Sequence, residues 1–255
     1  MKKRVIPSLL LNSGTQLCLS QKFKPWRSVG SLMQNLRMHV NREADELLII
    51  NLDYSTCIPF AIPLRLLQVV RNECDIPVSY CGGIRSASDA AFCINEGVDK
   101  VYVTSVFIDN QDSIKSFVDL LGSQSIGVSL PYVRCPSLNA YFVWDYRSKT
   151  STGLPLQKAI QKAVSAGAGE LLLHNVDLDG SMQGMDLELL DELACDISVP
   201  ILMAGGAGSQ HDISIALSKK ILSGVVVGSM FALTENTPTT VRAHCLSQGL
   251  PMRIV

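Results

Sequence analysis

Two glycine pairs, Gly82-Gly83 and Gly205-Gly206, stand 123 positions apart. Each is followed by a second short polar turn, Thr104-Ser105 in one case and Gly228-Ser229 in the other. Glycine lets the backbone come close to an anion, and free amides at a helix start point at it. One such contact contributes about 0.3–1 kcal/mol when exposed. Any single glycine pair could serve only to turn the chain. The paired recurrence points instead to two phosphate pockets and a ligand with two anionic ends. Asp179-Gly180-Ser181 reads as a tight turn that delivers further polar groups, Gly180 among them, to one of these pockets.

Asp53, Asp177 and Asp179 fall at or just past apolar runs, where a carboxylate could act as general acid or base. The plainer role for each is a solvated loop acid or a helix cap. His174 ends an apolar run and reads as a structural histidine before it reads as a base. The eight cysteines are scattered with no C-x-x-C pair. They read as reduced core thiols, and with the four histidines they match no metal-ligand spacing, so neither metal nor cofactor is expected.

These groups need elements to position them. Short runs rich in Val, Ile and Leu at 5–11, 46–52, 78–80, 100–104, 125–130, 170–175, 201–204 and 224–228 predict eight strands. They are apolar almost throughout, as parallel strands covered on both faces must be. Helices are predicted near 31–43, 60–73, 86–96, 110–121, 155–167, 186–196, 209–219 and 238–248, with Ser86, Asp112 and Ser209 near helix starts as caps. The segments 44–53 and 168–177 echo each other at 124 positions, as do 103–107 and 227–231. Eight strand–helix units over 255 residues, repeated in two halves (about 1–123 and 124–255), predict a single-domain α/β (β/α)8 TIM barrel. The stretch 131–152, with its aromatic residues, predicts a hairpin or flap after the fifth strand.

Arg4, Glu46, Lys100 and Glu170 all start predicted strands. Strand starts of a barrel converge on its axis, so two cations and two anions could form a neutral ring there. The alternative is a set of surface ion pairs, worth little each. Such a ring is an expensive way to plug a core and reads as a gate or docking surface.

The composition is that of a soluble globular chain: 47% hydrophobic, 18% charged, net charge -1. Without a basic excess, nucleic acid is not an expected partner. No apolar run is long enough to span a bilayer, and the first residues read as a buried strand rather than a signal peptide, which predicts a cytoplasmic protein.

Taken together, Arg4-Val5-Ile6-Pro7, Ala44-Asp45-Glu46-Leu47, Gly82-Gly83-Ile84-Arg85-Ser86, Gly167-Ala168-Gly169-Glu170, Asp179-Gly180-Ser181, Gly205-Gly206-Ala207-Gly208 and Gly249-Leu250-Pro251-Met252-Arg253 resemble the cyclase subunit of imidazole glycerol phosphate synthase. The resemblance covers almost the whole chain. It implies a glutaminase partner on the N-terminal face and ammonia passing down the axis to a substrate with two phosphates. It implies that Arg4, Glu46, Lys100 and Glu170 are the ammonia gate. It also assigns Gly82, Gly83, Ser105, Asp179, Gly205, Gly206 and Ser229 to phosphate turns, with Thr104 where the family usually has asparagine.

The chain departs from that family where the chemistry lies. Leu10 and Pro131 stand where the family has its two catalytic aspartates, Asn51 replaces an aspartate after the second strand, and Leu17-Cys18-Leu19 occupies the region of a substrate-contacting lysine. General acid–base groups contribute roughly 10²–10⁴-fold each, so their loss predicts a silent cyclisation. The resemblance implies a carbon–nitrogen lyase class, and the two replacements leave open whether this chain is an enzyme. The chain is more similar to a branch of the family that works in bacterial surface-polysaccharide synthesis. That branch implies a glutaminase and a separate amidotransferase as partners, and a phosphorylated or nucleotide-sugar ligand. The alternatives are a working cyclase in histidine biosynthesis and a non-catalytic activator of the glutaminase.

Overall fold

The computed structural model describes residues 2–12, 16–52, 64–193 and 197–253. Eight parallel strands close on one another: β1 (Arg4–Leu11), β4 (Leu47–Asn51), β5 (Val78–Cys81), β6 (Lys100–Val103), β7 (Ile126–Cys135), β10 (Glu170–Asn175), β11 (Ile201–Ala204) and β12 (Leu222–Val227). The pairings of β7 with β10 and of β12 with β1 complete the circle. This is a (β/α)8 barrel in one domain, as predicted. The strands carry apolar residues on both faces because helices cover the outside and packed side chains fill the inside.

Helices α1 (Leu32–Asn41), α2 (Leu64–Glu73), α3 (Ala87–Asn95), α5 (Ile114–Leu121), α6 (Leu156–Ser165), α7 (Leu187–Glu192), α8 (Gln210–Ser218) and α10 (Pro238–Ser247) form the outer layer. Ser86 and Ser209 cap α3 and α8 through matching capping boxes with Asp89 and Asp212. Asp112 does not cap. The Asn110 side chain accepts from the Asp112 amide instead, so the predicted helix at 110–121 opens with a 3-10 turn, Gln111–Ser113, before α5. Two five-residue helices escaped prediction, α4 (Ser105–Asp109) and α9 (Ser229–Leu233), and they sit at the two equivalent polar turns.

The hairpin predicted after the fifth strand is present. β7 runs on to Cys135 and pairs with β8 (Ala140–Asp145), which pairs with β9 (Thr150–Pro155). A second hairpin was not foreseen. β2 (Gln16–Gln21) folds back on β1, with Leu10 opposite Cys18, and pairs with β3 (Lys24–Ser31). Its tip, Lys22-Phe23, takes positive φ at both residues, the conformation of a two-residue hairpin turn. Among the described residues no helix is long and apolar enough to cross a membrane.

Candidate functional site

Alternation along a strand places every second residue on the barrel axis. On β10 the inward residues are Glu170, Leu172 and His174, and on β1 they are Arg4, Ile6, Ser8 and Leu10. Ile6, Leu48, Tyr102, Leu172, Leu202, Ala204 and Val226 pack together as an inner core distinct from the outer one. Below that core lies a charged layer and above it a polar cavity.

The charged layer contains all four predicted residues. Arg4 pairs with Glu46 at 2.9 Å and with Glu170, and Lys100 pairs with Glu170 at 2.5 Å. These are not surface pairs: the four side chains are at most 18% exposed. The pairs run as a chain, Glu46–Arg4–Glu170–Lys100. On the side between Glu46 and Lys100 stands Ser79, whose hydroxyl donates to Glu46 at 2.6 Å. Burial works against the charge on Glu170, but Arg4, Lys100 and the Lys100 and Tyr102 hydrogen bonds outweigh it and hold the carboxyl below its ordinary value. Burial likewise opposes the Arg4 charge, and the two glutamates keep it protonated.

Tyr102 links this layer to the core. Its ring lies over Gly127, where a Cβ would come within 2.4 Å of it. Gly127 is registered between Tyr102 on one side and Glu170 on the other. The phenol therefore crosses the neighbouring strand and donates to the Glu170 carboxylate. The sequence reading expected the axis to carry ammonia. Among the described residues, the axis between the charged layer and the mouth holds packed side chains, with Tyr102 tied to the layer below.

A small cavity opens to solvent at the mouth. Gly180, Gly205, Gly206, Gly228 and Ser229 line it with Ser8, Leu10, Ser20, His174 and Asp179. It thus brings together the predicted turns of the second half of the chain. Gly205 and Gly206 have φ of 101° and 91°, and a Cβ on Gly206 would meet the Gly184 carbonyl at 1.9 Å, so only glycine fits. The other predicted turn is built alike. Gly82 has φ 123° and would meet the Asn51 carbonyl at 2.4 Å, as Gly205 would meet that of Asn175 at 2.7 Å. Gly83 is also in the positive-φ region. Thr104 and Gly228 precede the short helices with similar backbones, φ/ψ of -127°/-67° and -111°/-79°. Neither supplies a side-chain cap, so Ser105 and Ser229 begin helices whose first amides have no such partner.

Of the candidate acids, Asp53 lies outside the described residues. Asp177 is exposed and is not among the residues lining the cavity. Asp179 is buried at the cavity wall. Its Oδ1 is 3.3 Å from His174 Nε2, and its Oδ2 accepts from the Phe23 amide at 2.9 Å. Burial would raise this carboxyl; the His174 hydrogen bond and charge, the Phe23 amide and Ser20 overcome that and lower it. Phe23, from the unforeseen hairpin, also packs its ring edge against His174 with centroids 4.5 Å apart. Sequence reasoning ranked His174 as structural. The signal that could have raised it is its spacing, five residues before Asp179 across a turn. Leu10 lines the cavity. Pro131 is buried in β7 opposite His174. Among the described residues no cluster of His, Cys, Asp and Glu could hold a metal.

A closed parallel barrel with glycine-lined turns at its C-terminal mouth defines a class of ligand-binding (β/α)8 proteins. Within it, this chain belongs to the family described as Histidine biosynthesis protein, which matches residues 4–237. It is 35% identical to the putative imidazole glycerol phosphate synthase subunit HisF of Leptospira interrogans, over 91% of this chain and 90% of that protein. It is 31% identical to imidazole glycerol phosphate synthase subunit HisF of Dehalococcoides mccartyi, over 100% and 99%. To the putative imidazole glycerol phosphate synthase subunit hisF2 of Campylobacter jejuni it is also 31% identical, over the full length of both.

Proposed function

We propose that this chain is the synthase-side barrel of a glutamine amidotransferase complex. A glutaminase docks on the charged end, and its ammonia serves the amidation of a phosphorylated or nucleotide-sugar ligand at the mouth. The pathway is surface-polysaccharide (lipopolysaccharide O-antigen) biosynthesis, with a separate amidotransferase completing the transfer. The observation that supports this reading is the mouth itself: Leu10 lines the cavity and Pro131 is buried opposite His174, at the two positions where the resemblance implies catalytic aspartates. Neither can move a proton, while the glycine turns, Ser105 and Ser229 remain available to bind phosphate. Delivery along the axis requires the Tyr102 ring to swing off Glu170.

The names of the relatives favour a second reading, a cyclase subunit of imidazole glycerol phosphate synthase in histidine biosynthesis. The two part in one assay. The purified chain, given ammonia and the histidine-pathway substrate, is expected to form no imidazole glycerol phosphate. Its gene is expected not to restore growth of a cyclase-deficient strain without histidine. Robust product or rescued growth establishes the second reading in place of the first.

A further inference from the structure

The mouth cavity has glycine turns suited to an anion yet, among the described residues, no permanent cation. Its described lining offers the hydroxyls of Ser8, Ser20 and Ser229, the backbone groups of four glycines, and one carboxylate, Asp179; no lysine or arginine is among them. A phosphate entering here meets a negative charge already in place. The single lining side chain that can carry positive charge is His174.

We infer that His174, oriented by Asp179, is the switchable cation that holds the anionic group of the ligand in this cavity. The inference rests on the reading that the mouth takes a phosphorylated ligand. Asp179 is committed: one oxygen faces His174 Nε2 at 3.3 Å and the other takes the Phe23 amide. That contact fixes Nε2 toward the carboxylate and leaves Nδ1 as the ring nitrogen available to a ligand. The edge of Phe23 closes one side of the imidazole. Both side chains are at most 13% exposed, so an ionic hydrogen bond made there is poorly screened.

Among the described residues lining the cavity, Asp179 is the one charged neighbour of the ring. The adjacent strands place Pro131 and Ala204 beside it. β1 brings Ser8 and Leu10, and α9 brings Ser229. The hairpin brings Phe23 and Ser20 to the site and carries Lys22 and Lys24 on its exposed tip, outside the cavity lining. Protonation of His174 completes a neutral pair with Asp179. Only in that state does an incoming anion face no uncompensated negative charge.

Inorganic sulfate is the probe, because its charge is constant across the pH range in which imidazole titrates. Calorimetric titration of the full chain is expected to show sulfate binding about tenfold weaker at pH 8.5 than at pH 5.5, the size of one charge-assisted hydrogen bond. In His174→Gln, which keeps a neutral donor, affinity is expected to be low and equal at both pH values. Imidazole ¹⁵N resonances of the wild-type chain report the same contact without a variant: sulfate is expected to shift those of His174. Sulfate that binds equally at both pH values, or leaves the His174 resonances unmoved, overturns the inference while the phosphorylated-ligand reading stands. A folded chain that binds neither sulfate nor inorganic phosphate at any pH overturns both.

Discussion

Glu46 and Glu170 hold equivalent places 124 positions apart, yet their partners differ. Glu46 has Arg4 and the Ser79 hydroxyl; Glu170 has Arg4, Lys100 and the Tyr102 phenol. The same divergence recurs at the mouth. His174 stands where the first stretch has Ile50, Ala204 where it has Cys81, and Gly228 where it has Thr104. The backbones nonetheless coincide in kind: paired positive-φ glycines, matched capping boxes, and a five-residue helix after the polar turn. Repetition has kept the frame, while side-chain chemistry has been concentrated in the second stretch. Its strand β10 alone carries the most heavily paired acid at one end of the axis and the histidine at the other.

The largest test of that asymmetry is at the charged end. Glu170→Ala leaves Lys100 without its anion and Arg4 with Glu46 alone, and is expected to cost about 3–5 kcal/mol in chemical denaturation. Glu46→Ala removes one ion pair and one hydroxyl contact and is expected to cost about half as much. Equal losses would remove the distinction between the two acids. The shared frame is tested by Gly82→Ala and Gly205→Ala. Each combines an unfavourable φ with a Cβ driven into a carbonyl, and each is expected to lose about 2–4 kcal/mol, within about 1 kcal/mol of the other. A large inequality would show that the two turns are alike in outline only.

The smallest effect concerns acid. The folded-state value of Asp179 is depressed, so its stabilisation is complete above the unfolded carboxyl value and is lost as pH falls through the folded one. Denaturation midpoints measured downward from about pH 4 are expected to fall less steeply for Asp179→Asn than for the wild type. An unchanged slope would mean that the carboxyl gains nothing from His174 and the hairpin.

The barrel strands were legible because a strand buried on both faces has nowhere to put polar residues. The charged layer was legible because strand starts converge, which turns four scattered residues into neighbours. The hairpin of β2 and β3 was not, since Leu17-Cys18-Leu19 is too short to announce a strand and its pairing with β1 is decided by tertiary contact. Helices α4 and α9 were hidden by their five-residue length. Gly127 and Tyr102 lie 25 positions apart, and only the register of β6 against β7 reveals that one makes room for the other. The contacts of His174 were not legible because its partner arrives through a turn, and because Phe23 comes from an element that sequence periodicity does not signal.

The phenol lodged above Gly127 joins two layers of the barrel. One hydroxyl thereby latches the inner core to the acid that also anchors both cations below. Anything that draws Glu170 toward Arg4 or Lys100 loosens that latch at the same moment.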